Sequence, residues 1–130
     1  MERRPIWRRD AVRAQIEAAI ALFAQGKPIP SLSLAGAAEE ATPATNEPYV
    51  FEKAKQVGPE RGYGTAQEVG QRLNETRNWL KHHDAQKPDP HYFHEVEAIF
   101  MILRAATKYQ AAYGDDDIEG LAKFRDWLVG

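Results

Sequence analysis

Apolar residues recur at three- and four-residue spacing along much of this 130-residue chain, and that period belongs to an α-helix. The spacing occurs in three separate stretches: Trp7, Val12, Ile16, Ile20 and Phe23; Ala66, Val69, Leu73, Thr76 and Leu80; and Leu121, Phe124, Trp127 and Leu128. No stretch bounded by turn residues alternates apolar and polar positions as a strand does. The sequence therefore predicts an all-α fold, and we expect a bundle of about five helices.

Prolines and glycines mark the ends of the first helices. The first helix is predicted to end at Gln25, and a second to begin at Ser31 or Ser33, because a serine hydroxyl can cap the free amides there. Three prolines and three glycines lie within residues 42–64. They predict a long irregular connection, with a short helix over residues 49–57.

Local signals also predict the starts of the later helices. Residues 65–68 form a capping box, in which a threonine hydroxyl and a glutamate carboxylate each satisfy an amide at the helix start. This third helix is expected to continue past Leu80. Asp89 is predicted to cap the fourth helix, with Pro90 in its first position, and the last helix is predicted to begin near the acidic residues 115–117.

Composition limits the class of protein. The chain is 43% hydrophobic and has no cysteine, so we expect residues 1–130 to form one domain with its own core and no disulfide. Its 17 basic and 19 acidic residues give a net charge of -2, which excludes bulk attraction to DNA. No window is long and apolar enough to span a membrane. We expect a cytoplasmic protein that makes no membrane contact.

One segment is too apolar for a helix with a single buried face. Residues 98–103 are apolar for more than one full turn. Two interpretations remain open: this is the central helix of the domain, or one of its faces meets a second copy of the chain.

The residues best suited to chemistry lie together. All four histidines fall within residues 82–94, and the first of them ends a run that also holds an arginine, an asparagine and a lysine. Histidine titrates near neutral pH, and a guanidinium can grip a phosphate through two hydrogen bonds. The candidate catalytic residues are Arg77, Asn78 and His82, and the candidate phosphate-binding residues are Arg77, Lys81 and His83.

The run from Arg77 to His82 resembles the motif of the HEPN superfamily, an arginine followed by a polar residue and then by a histidine. That resemblance implies metal-independent RNA cleavage by a homodimer, with no cofactor. Carried over, His82 handles the proton of a ribose 2'-hydroxyl, Arg77 holds the scissile phosphate and Asn78 orients them. Five positions along one helix separate Arg77 and His82 by about 140°, so we expect two copies to share the site.

A wider resemblance covers about two thirds of the chain. The segments Leu22 to Gly26, Leu34 to Glu40, Leu73-Asn74 and Arg77 to His82 resemble a group of small, uncharacterised bacterial all-helical proteins. That resemblance implies a helical fold and no activity. Glu39 and Glu40 are expected to form a solvated helix end.

Three other interpretations of this region stay open. In the first, Arg77 to His83 form an ordinary helix surface. In the second, the chain is a non-catalytic module that binds a partner or a second copy, rather than RNA or a nucleotide. In the third, a helical hairpin brings His82, His91 and His94 together as ligands for a divalent metal ion.

Overall fold

The computed structural model describes residues 1–83, 86 and 89–130 of the chain, and within these residues it is helical, with no strand. The all-α prediction is therefore confirmed. The described residues form seven helices: α1 (Arg8–Ala24), α2 (Pro28–Ala41), α3 (Val50–Glu60), α4 (Ala66–Leu73), α5 (Glu75–Lys81), α6 (Val96–Tyr113) and α7 (Leu121–Val129).

The main core lies between α1, α2 and α6. Its large members are Val12, Ile16, Leu32, Met101, Ile102 and Tyr109, and it also contains the fully buried alanines Ala19, Ala35, Ala38, Ala98, Ala105 and Ala106. Alanine at a helix contact lets two backbones approach closely. The apolar segment 98–103 lies in α6 and packs against several neighbours, so α6 is the central helix of the domain.

The described residues form seven helices and not about five, because one predicted helix divides in two and the connection contributes a helix of its own. The third predicted helix is interrupted at Asn74, where α4 ends and α5 begins. The connection over residues 42–64 contains α3, which is longer than the predicted helix over residues 49–57. Gly58 of α3 lies so close to α4 that an added Cβ would stand 2.7 Å from the Val69 side chain.

Three predicted helix starts were wrong. The second helix begins at Pro28, and Ser31 lies inside it, where its buried hydroxyl donates to the Ala19 carbonyl at 2.7 Å. The fourth predicted helix begins at Val96, so Asp89 does not cap it. The last begins at Leu121, after the acidic residues, because Asp115 instead accepts hydrogen bonds from the Tyr109 hydroxyl and the Asp117 amide.

The capping box is confirmed, since the Thr65 hydroxyl accepts from the Glu68 amide at 3.2 Å. Some predicted core residues are outside the core, however. Ala66 is exposed, and Leu80 and Trp127 retain 42% and 57% of their side-chain exposure. Among the helices described, none is both long and apolar enough to cross a membrane.

Candidate functional site

Two adjacent glutamates at the end of α2, Glu39 and Glu40, make different contacts. Glu39 is 5% exposed and faces inward, against the prediction of a solvated helix end, because its carboxylate meets a buried arginine of α6. Arg104 donates from Nε to Glu39 Oε2 at 2.6 Å and from Nη2 to Oε1 at 2.9 Å. Two parallel hydrogen bonds between a guanidinium and a carboxylate are the strongest arrangement this pair offers. Glu39 and Arg104 therefore join α2 to the central helix.

Arg104 also holds the outer helices. Its Nη1 donates to the Leu73 carbonyl at 3.2 Å and to Asn74 Oδ1 at 2.9 Å, at the interruption between α4 and α5. Its guanidinium carbon lies 3.7 Å from the centre of the Phe51 ring in α3. This one side chain therefore contacts α2, α3 and the α4–α5 junction.

The surroundings of Glu39 complete its hydrogen bonding. Lys108 Nζ donates to the Glu39 carbonyl at 2.8 Å, and the Tyr49 hydroxyl donates to Glu39 Oε2 at 3.4 Å. Burial and the charge of Glu39 raise the pKa of the Tyr49 phenol. Within the described part of the chain, no buried side-chain nitrogen or oxygen lacks a partner. We assign this network a structural role.

Glu40, one residue further on, is exposed and binds two cations of α5. Lys81 Nζ donates to Glu40 Oε1 at 3.2 Å and to Oε2 at 3.4 Å, and Arg77 Nη2 donates to Oε2. The Lys81 hydrogen bond and the Arg77 charge lower the pKa of the Glu40 carboxyl below its ordinary value. We call Arg77, Lys81 and Glu40 the α5 clamp.

A glycine of α2 makes room for the arginine of the clamp. The Arg77 side chain is 17% exposed and lies across Gly36. A Cβ added at Gly36 would stand 2.6 Å from Arg77 Nε and 2.8 Å from its Cδ. Arg77 is therefore partly covered by α2.

The other candidate site residues face solvent, one within α5 and two just beyond its end. Asn78, His82 and His83 are exposed. α5 ends at Lys81, and the backbone of His82 is extended, with φ -124° and ψ 118°. The angle of about 140° expected for one continuous helix therefore does not describe Arg77 and His82. The geometric argument that two copies must share the site no longer holds.

His91 belongs to a hydrogen-bonded group that the sequence did not reveal. The Thr76 hydroxyl donates to Glu97, and His91 Nε2 lies 2.7 Å from the same hydroxyl oxygen. Because that hydroxyl gives its only proton to the carboxylate, we infer that His91 Nε2 is the donor to Thr76. The His91 ring also stacks on Trp79, with 5.1 Å between ring centres. Together these contacts fasten α5 to the start of α6.

The metal alternative finds no support in this arrangement. His94 Nδ1 accepts from the Val96 amide at 3.0 Å, and His91 Nε2 is engaged with Thr76. Among residues 1–83, 86 and 89–130, no group of three or more histidine, aspartate or glutamate side chains is placed to hold a metal ion. Asp84, in the same predicted hairpin, lies outside the described residues.

Comparison of the chain with protein-family models, with curated proteins and with solved structures finds no match.

Proposed function

We propose that this protein binds a phosphate group of RNA or of a nucleotide at the α5 clamp, in the manner implied by the HEPN-like motif. One observation carries the proposal: Arg77 and Lys81, one turn apart on α5, converge on the two oxygens of a single exposed carboxylate. A phosphate presents the same kind of acceptor, with more oxygens and more negative charge. Glu40 therefore occupies the position that a bound phosphate would take.

The exposure of Glu40 makes the exchange feasible. Its side chain is 57% exposed, so Glu40 can rotate into water while Arg77 stays supported by Gly36. Surface ion pairs contribute only about 0–1 kcal/mol, so breaking this one costs little. His82 and His83 directly follow Lys81 in the chain and are exposed.

RNA cleavage is the reaction that the motif implies. His82 accepts the proton of a ribose 2'-hydroxyl, whose oxygen attacks the adjacent phosphorus while Arg77 and Lys81 bind the phosphate oxygens. A bond from the 2'-oxygen to phosphorus forms, and the bond from phosphorus to the 5'-oxygen breaks. The 5'-oxygen takes up a proton from water and His82 returns its proton to water, so that the products are a 2',3'-cyclic phosphate and a free 5'-hydroxyl. Asn78 orients the phosphate, and no metal ion takes part.

Glu40→Gln tests the binding proposal directly. The variant removes the competing negative charge and keeps the shape of the side chain, so we expect labelled single-stranded RNA to bind about fivefold more tightly at low salt. Fluorescence anisotropy measures the Kd. Glu60→Gln, at an exposed position of α3, is the matched control for the change in net charge. Equal affinities of the two variants, or weaker binding by Glu40→Gln, would contradict the phosphate site.

Cleavage has its own assay. The protein is incubated with mixed single-stranded RNA, with and without chelator, beside Arg77→Ala and His82→Ala. We expect chelator-resistant cleavage that both variants lose while retaining the helical circular dichroism of the parent. Binding without cleavage would leave phosphate recognition as the function and exclude the reaction.

A non-catalytic interaction module is the alternative function, and it applies if Glu40 keeps the two cations engaged. Arg77 and Lys81 are both already bound to Glu40, and Arg77 is largely covered. In this case the clamp serves to attach α5 to α2. Glu40→Gln would then lower the free energy of unfolding and leave RNA affinity at the level of Glu60→Gln.

A further inference from the structure

α1 and α7 leave an open groove between them, with a volume of about 630 Å³. Its apolar lining includes Ile20, Phe23, Phe124 and Trp127. The Phe23 and Trp127 rings meet edge to face with 5.4 Å between centres, yet Trp127 is 57% exposed. Apolar pockets of this size commonly hold a few large side chains of a ligand or partner.

The polar lining of the groove is mainly acidic. It carries the carboxylates of Glu17 and Glu119 and one cation, Lys123. Glu17 is fixed in place because its Oε2 accepts from the Glu119 amide at 2.7 Å. An occupant with both apolar and basic side chains would match this groove.

The same chain carries such a segment. Residues 1–7 lie outside the helices and are exposed. Within them, Ile6 and Trp7 keep 72% and 70% of their exposure, and Arg3 and Arg4 precede them. Two large apolar side chains in water beside two arginines complement an acidic groove lined by aromatic rings.

Trp7 cannot fill the groove of its own copy. It is the N-cap of α1, held there because its carbonyl accepts from the Ala11 amide at 3.0 Å. At 1.5 Å per residue, Ile20 lies about 20 Å further along the same helix, beyond the reach of an indole. Trp7 can therefore enter an α1–α7 groove only in another copy.

We propose that two copies associate through α1, with the helices antiparallel and with Trp7 of each copy in the α1–α7 groove of the other. The exposed residues Ala14, Ala18 and Ala21 lie on the α1 face beside the groove, where their small side chains permit close contact. A two-fold axis between Ala14 and Ala18 brings Trp7 of one copy level with the residues around Ala24 of the second. The interface is closed, since each copy gives and receives the same segment.

The first experiment measures molecular mass by sedimentation velocity over a concentration series of the full chain. We expect a dimer that dissociates on dilution, and a Kd raised by at least about tenfold in Trp7→Ala, because buried tryptophans dominate interfaces. Tyr92→Ala, which removes an exposed aromatic side chain outside α1 and α7, is the matched control and should leave the Kd unchanged. Unchanged circular dichroism of Trp7→Ala confirms its fold.

Disulfide trapping then tests the geometry, with no background because the chain has no cysteine. In Trp7→Cys/Ala24→Cys the two introduced sulfurs are about 25 Å apart within one copy, too far for an internal bond, so oxidation should give covalent dimers. Because this variant also lacks the indole, oxidation is carried out at a protein concentration well above the Kd of Trp7→Ala. Ala18→Cys alone should also cross-link, next to the axis, whereas Trp7→Cys alone should not.

Several outcomes would overturn the proposal. They are a monomer at every concentration, a dimer that Trp7→Ala leaves unchanged, and cross-linking by Trp7→Cys alone. A dimer packed along α5 would give the second of these. The proposal does not depend on phosphate binding, since the α5 clamp contains no residue of this groove, so either proposal can fail without the other.

Discussion

Glu39 and Glu40 are neighbours in the sequence, yet the side chain of one is buried and that of the other is exposed. About 100° of rotation separates consecutive residues of a helix, which is enough to turn one carboxylate towards α6 and the other towards α5. The sequence marked Arg77 as a candidate site residue, but did not show that Gly36 of α2 makes room for it. It did not reveal Arg104, because the partner Glu39 is 65 positions away and no local pattern marks such a pair.

Gly36→Ala is expected to separate Arg77 from Glu40 with little effect on stability. The added Cβ requires the arginine to move, while alanine favours a helix over glycine by about 1 kcal/mol, which offsets the disturbance. Arg77 contributes to the lowered pKa of the Glu40 carboxyl, so that pKa should rise towards its ordinary value. NMR titration of the Glu40 side chain measures the change.

Ser33→Ala, at an exposed position of the same helix, should leave the Glu40 titration unaltered. The ion pair between Arg77 and Glu40 stabilises the fold at pH values above the ordinary carboxylate pKa. Its contribution disappears as the pH falls through the lowered pKa of Glu40. As the pH falls through that acidic range, the free energy of unfolding of Gly36→Ala should therefore decrease by less than that of the parent. A Glu40 pKa that does not move would mean that the arginine adapts without leaving the carboxylate.

At the scale of elements, helix starts were predictable where the signal lies within one turn. Thr65 and Glu68 specify the start of α4 by contacts that they make with each other. The α4–α5 interruption depends instead on Arg104, which binds the Leu73 carbonyl from another helix. The three- and four-residue spacing alone predicts one continuous helix here, because apolar positions continue on both sides of the interruption.

Arg104→Met should destabilise the protein by about 3–5 kcal/mol, because it leaves the Glu39 carboxylate buried and without its cation. The double variant Arg104→Met/Glu39→Leu should recover much of that loss, since an apolar pair of similar volume needs no counter-charge. Urea denaturation of the parent, Arg104→Met, Glu39→Leu and the double variant gives the coupling free energy between Arg104 and Glu39.

Arg125→Met is the control for loss of an arginine, since Arg125 is exposed and donates a long hydrogen bond, 3.3 Å, to Gln110. It should change the free energy of unfolding by no more than about 0.5 kcal/mol. A loss in Arg104→Met as small as that of the control would mean that water or another cation reaches Glu39 when the arginine is absent.

The whole molecule is organised around close contacts between α1, α2 and α6. Their buried alanines leave no room for larger side chains at the points where the helices approach. The three-residue and four-residue spacing predicted that these segments are helical and have buried faces. It could not predict which faces meet, because the spacing along one helix contains no information about its neighbour.

Ala105→Leu is expected to cost about 1–3 kcal/mol, since three extra carbons enter a fully packed space. Ala122→Leu makes the same change at an exposed position of α7 and should stay within about 0.5 kcal/mol of the parent. Thermal and urea denaturation compare the two. Equal stability of both variants would show that the core of α1, α2 and α6 is loosely packed.

The position of Arg104 bears on how the native state opens. One side chain joins α2 and α6 to the Phe51 ring in α3 and to the Leu73 carbonyl and Asn74 side chain between α4 and α5. When its contacts with that outer layer are lost, α3, α4 and α5 lose a common attachment. Their amides should then exchange with solvent as one cooperative unit, at a lower free energy than those of α1, α2 and α6. The α5 clamp belongs to that unit, so its surface is coupled to a partial unfolding that leaves the rest of the core intact.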